Sequence, residues 1–418
     1  MRSVFVFVCL GALTLTTCGG GDDNPCAAKL YNSPSMIVYG NSIYISYYSK
    51  NKYTDPSASS CTESSTNYDL IFSYSADNGN SWSKKTVVSQ VLPPSSAVGL
   101  STQNIAVNST GSQIFISYLD GSILKCAYSL DSGSTFTSVT VDSDSAATNQ
   151  ALIMDGNGKL YIAYDPYLLT STEDTSTLYV ATSTDSGVTW TTTEVDSTAG
   201  TGHSPSMAVD ETNQVYVTYY YATTSGGLKY ALYNLSAWST GSVKVGDGAV
   251  SGLFSSVIVP PGNTSYVAFY DPNGYSVTSD GYIENTNGTL KFTKSVSPSI
   301  VTIDSAAYTG EAVSAGISGN NVYVSYGQYN PSGDINGLKF AKSTNGGSSF
   351  TVSSGYIDTD IVPTSTTRGL VYLNSCLKVY TLNSVTTVYI VYVASSGTAL
   401  KFAKSSDGGG TWSKVTLS

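Results

Sequence analysis

An acidic residue recurs in one local context along this chain, as Val141-Asp142-Ser143, Val195-Asp196-Ser197, Ile303-Asp304-Ser305 and Ile357-Asp358-Thr359. A second set, Asp120, Asp165 and Asp271, follows directly on aromatic runs. Two carboxylates at a suitable separation are all that glycoside hydrolysis requires of a protein, so these residues could do chemistry. Acids repeated at equivalent places also cap turns, and catalysis needs an asymmetric pair, so turn capping is the first reading and calcium contact, sugar contact or catalysis the second. His203 is the only histidine, which excludes a His dyad and a multi-His metal site; on this reading His-dependent catalysis is out. The cysteines are too scattered for a zinc site. No catalytic residue, metal or cofactor is therefore assigned. The asymmetric features are Arg368, the loop around His203, Glu311 close to Tyr308, and the long segments 49–68 and 271–288. A lone Arg368 is either a surface charge or a forked grip on one carboxylate, enough for a lectin-like site. If one face binds a ligand, Arg368, Glu311, Tyr308, His203, Asp358, Asp304 and Asp196 line it.

The elements that must position these residues are repeated strands. Segment 178–190, L-Y-V-A-T-S-T-D-S-G-V-T-W, reads as a half-buried strand, a tight turn and the start of another strand. In the turn, Asp can accept backbone N–H bonds and Gly permits positive φ. The pattern S-x-D-x-G-x-x-W/F recurs at Ser75-Asp77-Gly79-Trp82, Ser129-Asp131-Gly133-Phe136, Ser183-Asp185-Gly187-Trp190 and Ser405-Asp407-Gly409-Trp412. A copy with Asn for Asp stands at Ser343-Asn345-Gly347-Phe350. The preceding strand persists where the turn has decayed, as L-K-Y-A-L-Y from Leu228 and L-K-F-T-K-S from Leu290. Upstream of each lies an aromatic strand, I-Y-I-S-Y from Ile43 through to V-Y-I-V-Y from Val388. Seven such pairs at a period of about 57 residues suit the blades of a propeller.

The turn resembles the Asp-box (BNR) repeat of the sialidase superfamily over nearly the whole mature chain. The resemblance implies an all-β, seven-bladed β-propeller of four-stranded antiparallel blades, with Asp-box turns bracing strands three and four away from the active face. It places that face at the loops leading into each first strand and between second and third strands. Family sialidases grip the substrate carboxylate with three arginines and use a Tyr/Glu pair with an Asp acid. Beyond Arg2 this chain has one arginine, Arg368, and no F/Y-R-I-P segment, so sialidase turnover is not expected. A non-catalytic propeller that binds glycan or another envelope or host macromolecule is the leading expectation. A glycoside hydrolase working through carboxylates is the alternative, and a purely structural role the third.

Residues 1–17 read as a secretion signal, too short in its apolar run to span a bilayer. L-T-T-C at 15–18 resembles the lipobox of bacterial lipoproteins, which makes Cys18 the lipidated first residue, 18–30 a Gly-rich tether and 31–418 the propeller. The protein is then expected at the bacterial envelope, held to the outer membrane or cell surface by lipid alone, as a monomer. The whole chain carries −10, and charged residues are only 11% against 33 Tyr, which disfavours nucleic acid and favours strands over helices. Cys126, at a position where other repeats have Phe or Tyr, is expected as a buried thiol. Cys26 is expected to pair with Cys61 or Cys376, and the latter bridge would help close the ring.

Overall fold

The computed structural model describes residues 29–51, 67–92, 104–143, 147–166, 175–222, 227–245, 253–262, 265–271, 275–277, 283–285, 288–294, 299–306, 308–329, 335–361, 375–394 and 398–417. Residues 1–17, Cys18, the tether to residue 28, Cys26, Cys61 and Arg368 lie outside them, as do most of the two long segments and the side chain of Glu311.

Seven four-stranded antiparallel sheets form a seven-bladed β-propeller. The first blade runs Lys29–Tyr39, Ser42–Asn51, Tyr68–Ser75, Ser83–Val91, and the seventh Ser375–Leu382, Val385–Ala394, Ala399–Ser405, Ser413–Thr416. Blades 4 and 5 are four-stranded although their boxes have decayed. In blade 4 the turn is held instead by Asn234, whose Oδ1 accepts the N–H groups of Ser236 and Ala237. The aromatic second strands are buried on both faces, because each blade is covered by two others. The apolar core is accordingly divided into seven clusters, one per seam between neighbouring blades.

Each box works as its residue types require. Ser183 Oγ donates to Asp185 Oδ1 at 2.8 Å and accepts from the N–H of Gly187, while Thr189 gives Asp185 both its N–H and its hydroxyl. Those bonds, led by the Thr189 hydroxyl, hold the Asp185 carboxyl at about 2. The glycine serves two purposes. It sits at positive φ, and at Gly79, Gly133, Gly347 and Gly409 it lies flush on the third-strand aromatic of the preceding blade, whereas Gly187 meets Phe115 of a second strand. A Cβ on Gly409 (φ +97) would fall 2.0 Å from Cε1 of Phe340. Gly409→Ala is thus expected to cost at least about 2 kcal/mol by combined backbone strain and overpacking, read as a lower denaturant midpoint with an unchanged slope.

A ring of side chains joins the first strands around the axis. Ser35, Ser206, Ser256 and Ser314 occupy one register position, and each Oγ accepts a backbone N–H from the next blade, that of Ile105, Val257, Ala315 and Leu377. Asn104, at the same position, donates to Gln150 O. Cys376 holds this place in blade 7 and its Sγ reaches Met36 O of blade 1 at 3.7 Å. Its thiol is free, so of the two pairings expected for Cys26 the one with Cys376 is not made, and the one with Cys61 lies outside the described residues. Closure comes instead from the apolar cluster of blades 7 and 1, from Trp82 edge-on to Phe402, and from Tyr389 and Lys404 donating to Asn78. Cys126 is the buried thiol expected, and burial pushes it up to about 12.

Candidate functional site

With boxes at the turns between third and fourth strands, the opposite face carries the segments that join blades and those between second and third strands. The recurring aspartates stand there, and each is bonded across a seam. Asp196 ends blade 3; its Oδ2 accepts the hydroxyl of Tyr219 at 2.7 Å and the ammonium of Lys229, both from blade 4. Asp304 of blade 5 takes Tyr326 (2.7 Å) and Lys339 (2.8 Å) of blade 6. Asp358 of blade 6 takes Tyr392 (2.7 Å) and Lys401 (3.1 Å) of blade 7. Asp142 takes Tyr164 at 2.6 Å, but blade 3 has Tyr179 where the others have lysine. In the three full copies Oδ1 accepts the N–H two residues on, from Thr198, Ala306 and Asp360. One oxygen therefore caps the turn, as the sequence suggested, and the other latches the next blade. Burial pushes the Asp196 carboxyl up, but bonds from Lys229, Tyr219 and Thr198 outweigh it and hold the group at about 2. Asp304 and Asp358 are lowered by the same balance, with the bond from Lys339 leading in the first and that from Tyr392 in the second.

His203 opens the first strand of blade 4, His203–Val209. Its Nδ1 lies 2.9 Å from Asp165 Oδ2 and its Nε2 lies 2.9 Å from Ser176 Oγ, both in blade 3. This is a Ser–His–Asp series of contacts that needs only one histidine, and no spacing along the chain foretells it. Ser176 is 0% exposed and its carbonyl accepts the N–H groups of Gly200 and Thr201, so the group is packed as a pin between blades. It stands at the seam where the ring of serines lapses, since blade 3 has Ala151 at the ring position. The corresponding corner between blades 5 and 6 has Tyr270 and Gly288 where blade 3 has Asp165 and Ser176, and a Cβ on Gly288 would lie 1.9 Å from the Tyr270 hydroxyl. One place in the fold is thus filled by two unrelated packings. A fluorophosphonate probe is expected to leave Ser176 unlabelled in the native protein; stoichiometric labelling abolished by His203→Ala would show a working nucleophile.

The described residues singled out by sequence share this face and are spread over three of its seams. Asp196 and His203 belong to the seam of blades 3 and 4, Asp304, Tyr308 and Glu311 to that of blades 5 and 6, and Asp358 to that of blades 6 and 7. Tyr308 is half-buried with φ +62, the turn position that Gly200 fills in the equivalent loop. Glu311 pairs with Gly327 beside a bulge in which Ala312 also has positive φ. Sequence reasoning missed the latch partners Lys229, Lys339 and Lys401, although L-K follows V/I-D-S/T in the very blades that carry full latches. Among the described residues no cluster of His, Cys, Asp or Glu could hold a metal ion.

The chain matches no described protein family by sequence and no curated protein. Its structure is similar to the BP39L lectin from Burkholderia pseudomallei, with TM-score 0.60 at 14% identity over 94% of this chain and 99% of that one. It is also similar to a PL25 ulvan lyase, with TM-score 0.57 at 12% identity over 94% and 97%. A Hadza microbial sialidase, Hz136, superimposes at TM-score 0.46 and 13% identity over 94% and 86%. At these identities the likeness carries the fold alone, one shared by a lectin and a lyase.

Proposed function

We propose that this protein is an exported, envelope-anchored propeller that binds glycan without cleaving it, through the face opposite the Asp boxes. One observation carries the reading: the carboxylates of Asp196, Asp304 and Asp358 on that face are held below the ordinary range in bonds to Tyr and Lys of the neighbouring blade, an arrangement that suits a brace and not a proton donor. A general acid for glycoside cleavage needs a raised carboxyl, and Asp196, Asp304 and Asp358 are shifted the other way. The fold is also that of the BP39L lectin, which makes a binding role familiar for such a scaffold. The test is a glycan array with the full-length chain, followed by analysis of bound glycans for new reducing ends or unsaturated products. Binding with intact glycans is expected; cleavage would promote the hydrolase alternative.

The anchor is part of the same proposal. Cys18→Ser is expected to move the protein from the membrane fraction to the soluble exported fraction, as seen by fractionation and immunoblotting. A wild-type protein already soluble and beginning at another residue would contradict the lipid anchor.

A further inference from the structure

Of the chain's 33 tyrosines, those described are almost all drawn into the seams, yet Tyr356 stands 39% exposed. Among the residues whose side chains are described, no other aromatic is as exposed. It lies on the face opposite the boxes, two residues before the latch residue Asp358. Its ring rests on the backbone of the third strand at Gly337, where a Cβ would come within 2.6 Å of Tyr356 Cδ1. Its hydroxyl donates to Gln328 Oε1 at 2.8 Å. The ring is therefore fixed at both ends while part of its surface meets solvent, which is not how an incidental surface tyrosine is held. Two residues beyond the latch, Asp360 has a side chain 49% exposed whose Oδ2 accepts from Lys401 at 2.7 Å. Lys401 also serves Asp358, and Lys414 Nζ lies 3.7 Å from Asp358 Oδ1.

We propose that Tyr356 is the platform, and Asp360 the hydroxyl acceptor, of a subsite for a neutral pyranose. The inference rests on the glycan-binding reading and names the sugar class and the residues. A pyranose offers an apolar C–H face to stack on an aromatic ring and a rim of hydroxyls that donate to a carboxylate. A carboxylate fixed by a shared lysine is an acceptor for such hydroxyls and offers no donor to the carboxylates and sulfates of acidic glycans. The chain's net charge of −10 acts in the same direction. Gly337 is what allows the arrangement, since any side chain there would lift the ring from its shelf.

The experiment measures affinity of the full-length protein for neutral and acidic glycans of an array, for wild type, Tyr356→Ala, Tyr356→Phe and Asp360→Asn, with melting temperature as the control for folding. Wild type is expected to bind neutral glycans. Tyr356→Ala should weaken binding by about tenfold or more with little change in melting temperature, Asp360→Asn should weaken it several-fold, and Tyr356→Phe should keep most of it. If wild type binds neutral glycans and Tyr356→Ala binds them as tightly, the platform is wrong and the glycan-binding reading stands. Binding confined to acidic glycans would overturn the neutral subsite, and binding to none would overturn both.

Discussion

Replacing His203 by Ala is expected to lower stability by about 3 kcal/mol, because it leaves the Asp165 carboxylate buried without its imidazole partner. The Asp165 side chain is 0% exposed and that of His203 only 17%. The loss falls on the seam where Ala151 offers no ring bond, so blades 3 and 4 would be joined there by the Asp196 latch, by Asn213 Oδ1 accepting from Gly156, and by apolar packing. Asp165→Asn should cost less, since the amide keeps an acceptor and carries no charge. The double variant should be less destabilised than the sum of the two, with a coupling of about 1 kcal/mol or more in a denaturation cycle. Additive effects would mean that His203 and Asp165 do not act as a pair.

The second large effect is expected in acid. Asp196 has a folded carboxyl at about 2, below its ordinary value near 3.8, so it contributes stability that is fully present above the unfolded value and is lost as pH falls through about 2. For Asp196 alone the contribution is roughly 2 kcal/mol at neutral pH. Asp304 and Asp358 are displaced in the same direction, and the box carboxyls of Asp131 and Asp185, held at about 2 mainly by hydroxyls of Thr135 and Thr189, add to it. Stability should therefore be nearly level from neutral pH to about pH 5 and fall steeply between about pH 4 and 2. Asp196→Asn should be less stable than wild type at pH 7 and indistinguishable from it near pH 2. A difference that persists unchanged at pH 2 would show that the charge on Asp196 is not what matters.

The propeller was legible because its signals are local and periodic. A box needs Ser, Asp and Gly within five residues, as at Ser183, Asp185 and Gly187, and an aromatic strand such as that from Val215 announces itself alone. The decayed turns after Leu228 and Leu290 did not obscure blades 4 and 5, since the paired strands survived. What could not be read were contacts made between blades. Asp196 meets Lys229 from 33 residues away, and His203 meets Asp165 from 38 away in the other direction, distances set by the width of a blade and not by any motif. Cys376 was misjudged for the same reason. It aligns with Ser35, Ser206, Ser256 and Ser314, but only the registered first strands show that this position faces the next blade's backbone. Nor could the sequence show that His203 and Glu311 occupy equivalent corners of different seams, since that equivalence depends on the registered strands of blades 3 to 6. The exposed ring of Tyr356 is one of 33 tyrosines in the sequence, and only burial separates it from the other described ones.

On the proposed function the repeated carboxylates hold the blades together, and the face they brace binds glycan without cutting it. Product release and melting temperature measured together, for wild type and Asp304→Asn on glycans that the array identifies, test it most directly. No product is expected from either protein, and the variant should melt several degrees lower, because Tyr326 and Lys339 lose their charged partner. Product released by wild type and abolished in an Asp304→Asn protein of unchanged melting temperature would contradict it.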